Sequence, residues 1–152
     1  MRRKAYPLRI VQKIREIEEL TIIGALRELL RELDSIQARL SKSREAALER
    51  KQARERFEAK NALPERGCIG AELHRDALFS RRLLEEERLL QNEIAIAQCR
   101  YHRLRMRIDE LQSALSAAHA ARKIVEQHHQ KFDQTQQKQR TSELEMSTED
   151  HD

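Results

Sequence analysis

The chain has 152 residues, of which 37% are charged and only 3% aromatic, and it carries a formal net charge of +4. So little bulky apolar material excludes a compact globular core, and three glycines are too few for the repeated turns of a sheet protein. There is no apolar run of about 18 residues that could span a membrane, nor an apolar segment after the basic start that would indicate a secretion signal. We therefore expect a cytoplasmic, all-α protein made of long helices.

The first helix is predicted from about residue 7 to 61. Pro7 fits the first helical turn, where its missing N–H has no intrahelical partner. An apolar seam with alternating steps of four and three follows at Ile22, Leu26, Leu29, Leu33, Ile36 and Leu40. Upstream, Ile10, Ile14 and Ile17 begin an apolar stripe, but the step from Ile17 to Ile22 is five residues. This offset predicts a local change in winding.

Gly24 and the basic middle of the first helix are less regular. A glycine inside a helix costs about 1 kcal/mol relative to alanine, so Gly24 is either a tolerated weak point or a place where a partner helix approaches closely. After Leu40 the seam thins to small and basic residues, which predicts looser packing. The basic residues of this stretch are Arg39, Lys42, Arg44, Arg50, Lys51, Arg54, Arg56 and Lys60.

A turn over 62–70 is predicted because Pro64 disfavours helix before it and Gly67 and Gly70 permit a reversal. The second helix is predicted from about 71 to 140. Its seam contains Leu90, Ile94, Ala97, Tyr101, Leu104, Ile108, Leu111, Leu115 and Ala118. Folding the chain at Arg66 and Gly67 brings the two seams face to face. The predicted fold is a long antiparallel two-helix coiled-coil hairpin.

The hairpin is predicted to be one domain, 1–142, followed by a disordered acidic tail, 143–152. The first helix runs out near Leu8, opposite Val125. The second helix is therefore predicted to overhang without a partner from Glu126 onward. A monomer is favoured, while a parallel dimer of one or both helices remains the structural alternative.

Few residues suggest a redox, metal-binding or catalytic site. Cys68 and Cys99 lack metal-ligand or CxxC spacing and are interpreted as reduced thiols. His128, His129 and Asp133 place imidazoles and a carboxylate on adjoining positions, but a structural zinc site needs about four converging ligands. We interpret them as solvated residues and predict no metal, no cofactor and no catalysis.

Nucleic-acid binding is the least favoured function for this chain. The arginines of the second helix at 100, 103, 105 and 107 flank the seam, where long basic side chains cover it and pair with acids. Aromatic side chains that could stack on bases are scarce. No nucleic-acid partner is therefore predicted.

The segment 6–19, beginning Tyr6-Pro7-Leu8, resembles the opening of the flagellar FliJ proteins and of their YscO counterparts in virulence-type type III secretion. This segment and those proteins share an aromatic residue followed by Pro-Leu. They also share an apolar stripe that runs through a basic stretch and ends in acidic residues. The chain length, the predicted helical hairpin and the polar C-terminal residues also resemble that family. The resemblance implies a stalk beneath a membrane-embedded export apparatus. Its implied partners are the hexameric secretion ATPase, the export gate protein and export chaperones.

The resemblance also implies two binding regions. The ATPase-facing end is the terminal one, with basic residues at Arg2, Arg3, Lys4, Arg9, Lys13, Arg15, Arg122 and Lys123. The gate-facing end is the hairpin tip, around Leu63, Ile69, Leu73 and Ala77. A second hypothesis, drawn from the weakly apolar half near the turn, is a chaperone-like or scaffold coiled coil that binds partner helices.

Overall fold

A computed structural model describes residues 5–61 and 70–149, which form two helices and no strand. Helix α1 spans Arg9–Asn61 and helix α2 spans Gly70–Glu149. A turn precedes α1, in which the Arg9 N–H donates to the Tyr6 carbonyl at 3.3 Å. Residues 62–69, for which a turn is predicted and which include Leu63, Cys68 and Ile69, lie outside the described residues. The predicted packing of two long helices against each other is confirmed, within each of the two units described below.

The end of α2 differs from the predicted boundary. The helix continues through 143–149, where a disordered tail was expected. This segment contains neither glycine nor proline, and its glutamate, leucine and methionine residues have high helix propensity. Local propensity therefore extends α2 beyond 140. Residues 150–152 of the predicted tail lie outside the described residues.

The chain divides into two compact units. Unit 1 combines residues 1–28 with 108–152, and unit 2 comprises 29–107. Within each unit a segment of α1 packs antiparallel against a segment of α2. In unit 1, Tyr6 meets His128 and Glu19 meets His119. Each unit is described below by itself.

Unit 2 has an apolar core in the predicted register. Ile36, Leu40, Ala47 and Ile94 are buried in one cluster. The partly buried side chains packed against it are Leu90, Ala97, Tyr101 and Leu104. Since these residues come from both predicted seams, the step pattern of four and three correctly identified the faces that meet in this unit.

Where the seam of unit 2 thins, ion pairs and one aromatic pair join the helices. Arg54 Nε lies 2.8 Å from Glu87 Oε2, and Arg50 pairs with Glu86 at 3.1 Å. The rings of Phe57 and Phe79 meet edge to face at 4.8 Å between centroids. The pKa of Arg54 is raised, first by its hydrogen bond to Glu87 and second by that to Glu58. Polar contacts thus replace apolar packing in the basic middle of α1.

Candidate functional site: an exposed apolar stripe on α1

The inner face of α1 in unit 1 is polar upstream of Ile22. Counting upstream from Leu26 in the same steps of four and three reaches Ile22, Glu19, Arg15 and Gln12, and all four are half-buried. Helix α1 continues through this stretch without interruption. The predicted offset of the seam is therefore not observed. The register is kept, and polar side chains occupy it.

The isoleucines that were expected to begin the seam point to solvent. Ile10 is 74% exposed, Ile14 49% and Ile17 63%, and Leu20 beside them is 66% exposed. At 3.6 residues per turn, the five-residue step from Ile17 to Ile22 turns the apolar face by about 140° around the helix. One partner helix cannot cover both faces. We call Ile10, Ile14, Ile17 and Leu20 the isoleucine stripe.

An ion cluster in unit 1 accounts for the choice of face. Glu19 accepts a hydrogen bond from Arg122 Nε and lies 3.2 Å from Nδ1 of His119. Arg122 also donates to Glu126 on its own helix. The Arg122 guanidinium and, second, His119 lower the pKa of Glu19, while the bond to Glu19 raises the pKa of Arg122. Turning the stripe inward would break this cluster.

Tyr6 holds the start of the α1 segment against α2. Its side chain is buried, and its hydroxyl oxygen lies 2.9 Å from Nδ1 of His128 and 3.4 Å from the carbonyl oxygen of Val125. Its ring stacks on His129 at 4.2 Å with 13° between the planes, and Phe132 lies 5.5 Å away. We call these contacts the Tyr6 clasp.

The clasp corrects two predictions. Helix α2 does have a partner after Glu126, so the predicted overhang does not begin there. His128 and His129 are packing partners of a tyrosine rather than merely solvated residues. Among the described residues, no cluster of His, Cys, Asp and Glu could hold a metal ion.

The basic residues predicted for the ATPase-facing end differ from one another in exposure and in ion pairing. Arg9 and Lys13 are exposed beside the isoleucine stripe, and no ion pair involves them within 5–61 and 70–149. Arg15 is half-buried and pairs with Glu18 at 3.0 Å, whereas Arg122 belongs to the inner cluster. Lys123 is exposed. The three basic residues at 2–4 lie outside the described residues.

The predicted tip residues that can be seen lie on the first turns of α2. Leu73 is 58% exposed, and Ala77 is exposed as well. Leu78 and Phe79, which the sequence pattern did not single out, are 53% and 47% exposed. This part of unit 2 therefore presents apolar side chains to solvent.

A longer count along the sequence identifies the missed contacts. Continuing the seam of α2 beyond Ala118 in steps of four and three reaches 122, 125, 129 and 132, which are half-buried. The same count upstream on α1 identifies the polar inner face. The sequence therefore does indicate these inner positions, through their spacing along each helix rather than through the hydrophobicity of the residues.

No family model, curated protein or solved structure matches the chain. None of the described helices is both long enough and apolar enough to cross a membrane.

Proposed function

We propose that this protein is a non-catalytic central stalk component of a type III secretion export apparatus. It acts in the cytoplasm at the base of the membrane-embedded apparatus. Unit 1 binds the hexameric secretion ATPase, the end of unit 2 near the turn binds the export gate protein, and export chaperones are further partners. The sequence resemblance of residues 6–19 and the antiparallel packing of two long helices support this function.

The isoleucine stripe is the observation that carries the proposal. Four large aliphatic side chains at helical spacing are exposed although nearby positions on the same helix are covered. Burying such a side chain contributes about 1.5 to 3 kcal/mol, so a partner that covers the stripe gains substantial free energy. The exposed cations Arg9 and Lys13 beside it favour a partner surface that carries acidic residues.

The polar inner face makes the stripe available to a partner. Glu19 meets Arg122 and His119 across unit 1, so a polar side chain occupies the inner position there and the stripe lies outside. The Tyr6 clasp fixes the start of this segment. A partner therefore meets an already ordered stripe and spends little free energy on ordering it.

The test measures ATP hydrolysis and hexamer formation by the purified secretion ATPase with the full-length chain. The variant Ile14→Glu/Ile17→Glu places charges in the stripe. A matched control, Leu89→Glu/Ile96→Glu, alters side chains that are 64% and 71% exposed in unit 2. We expect the wild type and the control to raise hydrolysis or hexamer formation, and the stripe variant to bind at least about tenfold more weakly.

Two results would contradict the proposal. One is the absence of any binding or stimulation by the wild type. The other is an equal loss in the stripe variant and the control, which would show that the stripe has no special role.

The exposed apolar side chains at the start of α2 favour a second candidate function, a chaperone-like scaffold that binds partner helices. In that case Leu73→Glu/Leu78→Glu would abolish the capture of purified export chaperones, while the secretion ATPase would not bind the wild type at all. Binding of the ATPase through the stripe would exclude this alternative as the main function.

A further inference from the structure

An open groove runs along one side of unit 2. One depression of about 700 Å³ is lined in part by Leu40, Arg44, Gln98 and Tyr101. A second, of about 310 Å³, shares Arg44 and Gln98 with the first and extends to Lys51. The two depressions are neighbours along α1, and we call them together the side groove.

The side groove has an apolar floor and an asymmetric rim. Leu40, Ala47 and Ile94 form the floor, and Leu48, which is 56% exposed, lies on the lip. The groove exists because Ser41 and Ala47 leave space that larger side chains would fill. From Gln37 to Lys51 it extends about 21 Å, the length of about four turns of a partner helix.

The rim carries two cations, Arg44 and Lys51, and one acid, Glu45. Arg44 forms no ion pair within the described part of the chain, and Lys51 has only Glu55 at 4.0 Å, where both side chains are more than half exposed. Arg44 and Lys51 are seven residues apart, so both lie on the same face of α1. The facing positions on α2, Gln91 and Gln98, are uncharged.

The opposite side of unit 2 lacks this combination. Its depression is about 250 Å³, and it includes Glu93 among cationic neighbours. One of those neighbours, Arg100, is paired with Glu32. Among the described depressions, the side groove is therefore the one that combines an apolar floor with the length of about four helical turns, and its cations Arg44 and Lys51 outnumber Glu45.

We propose that the side groove binds an amphipathic helix of another protein. The apolar stripe of that helix packs on Tyr101 and on the exposed Leu48, above the buried floor of Leu40 and Ala47. Carboxylates spaced seven residues apart on its flank pair with Arg44 and Lys51. This surface is distinct from the isoleucine stripe, so the two binding sites can be tested separately.

The probe is a synthetic amphipathic helix of about three heptads with leucine in its seam and glutamate on its flanks. The reference peptide carries lysine in place of the glutamates. Binding to the full-length chain is measured by fluorescence anisotropy. The chain carries Ile14→Glu/Ile17→Glu throughout, so that the peptide cannot use the isoleucine stripe. Circular dichroism checks that every variant keeps its helix content.

We expect the glutamate peptide to bind at least about tenfold more tightly than the lysine peptide. Arg44→Glu/Lys51→Glu is expected to abolish this preference. The control Arg39→Glu/Arg56→Glu changes the net charge equally but outside the side groove, and it should alter the preference by less than about threefold. Leu48→Gln should weaken binding severalfold, whereas Leu30→Gln, another exposed leucine of α1, should not.

Several outcomes would overturn the proposal. Equal binding of both peptides, or an equal effect of the two charge-reversal pairs, would show that the groove cations do not select the partner. Sedimentation that shows a dimer lost on Arg44→Glu/Lys51→Glu would make a second copy the occupant. Displacement of the glutamate peptide by duplex DNA with steep salt dependence would indicate a nucleic-acid site instead.

Discussion

Units 1 and 2 use the same helix register in opposite ways. In unit 2 the inner positions of α1 are filled by Leu33, Ile36 and Leu40, which are buried. In unit 1 polar residues such as Gln12 and Glu19 occupy the inner positions upstream of Ile22, while the isoleucine stripe lies outside. Glu19 meets Arg122 and His119 across unit 1, so the polar positions of this segment are the covered ones.

This difference assigns separate roles to the two units. Apolar burial in unit 2 supplies most of the free energy that holds its helices together. Half-exposed ion pairs in unit 1 add little net stability, but they fix which face is turned inward. In unit 1 the aliphatic side chains of the isoleucine stripe therefore stay exposed.

The largest expected effect comes from a matched pair of isoleucines. Ile36 is 4% exposed in unit 2, and Ile17 is 63% exposed in unit 1. Ile36→Ala should lower the free energy of unfolding by about 3 kcal/mol through lost burial and a cavity. Ile17→Ala should change it by less than about 0.5 kcal/mol. Urea denaturation followed by circular dichroism measures both, and equal losses would remove the contrast between the units.

The next effect concerns the Tyr6 clasp. Tyr6→Ala removes a buried ring and should destabilise the start of α1 locally by about 2 kcal/mol. The change should appear as faster amide hydrogen exchange over residues 9–20, with little change in unit 2. Tyr6→Phe keeps the stacking on His129 and should restore most of the protection. If exchange in unit 1 is the same in all three proteins, the clasp does not hold the helix.

A smaller gain in stability is expected at Gly24. This position is exposed on α1, and the methyl group of an alanine there would face open space, with no contact within 4 Å. Gly24→Ala should therefore raise the free energy of unfolding by about 1 kcal/mol. Gly70→Ala, at the first residue of α2, is the matched control and should give a smaller gain. A loss of stability at Gly24 would instead indicate the close helix approach that the sequence left open.

The smallest expected effect is on the pH dependence of thermal stability, which tests the polar inner face of unit 1. The pKa of Glu19 is lower in the folded chain than in the unfolded one, so the carboxylate stabilises unit 1 at pH values above its ordinary pKa. This contribution is lost as the pH falls through the lowered pKa. Glu19→Gln should remove that part of the acid dependence of thermal unfolding. An unchanged pH profile would show that the cluster contributes nothing to stability.

The amino-acid sequence by itself determined the helical class and the faces that meet in unit 2. Alternating steps of four and three place Ile36, Leu40 and Ile94 on one side of each helix whatever the partner is. Leucine-rich seams leave no competing face there. The scarcity of aromatic residues and glycine excluded the other fold classes.

Only the tertiary structure decided what unit 1 does with its apolar residues. The sequence contains two candidate faces, Ile10 to Ile17 and Gln12 to Glu19, and hydrophobicity favours the first. The structure covers the second, in which Arg122 and His119 stand opposite Glu19. Which charged side chains meet across two helices depends on their axial alignment, which no single helix specifies.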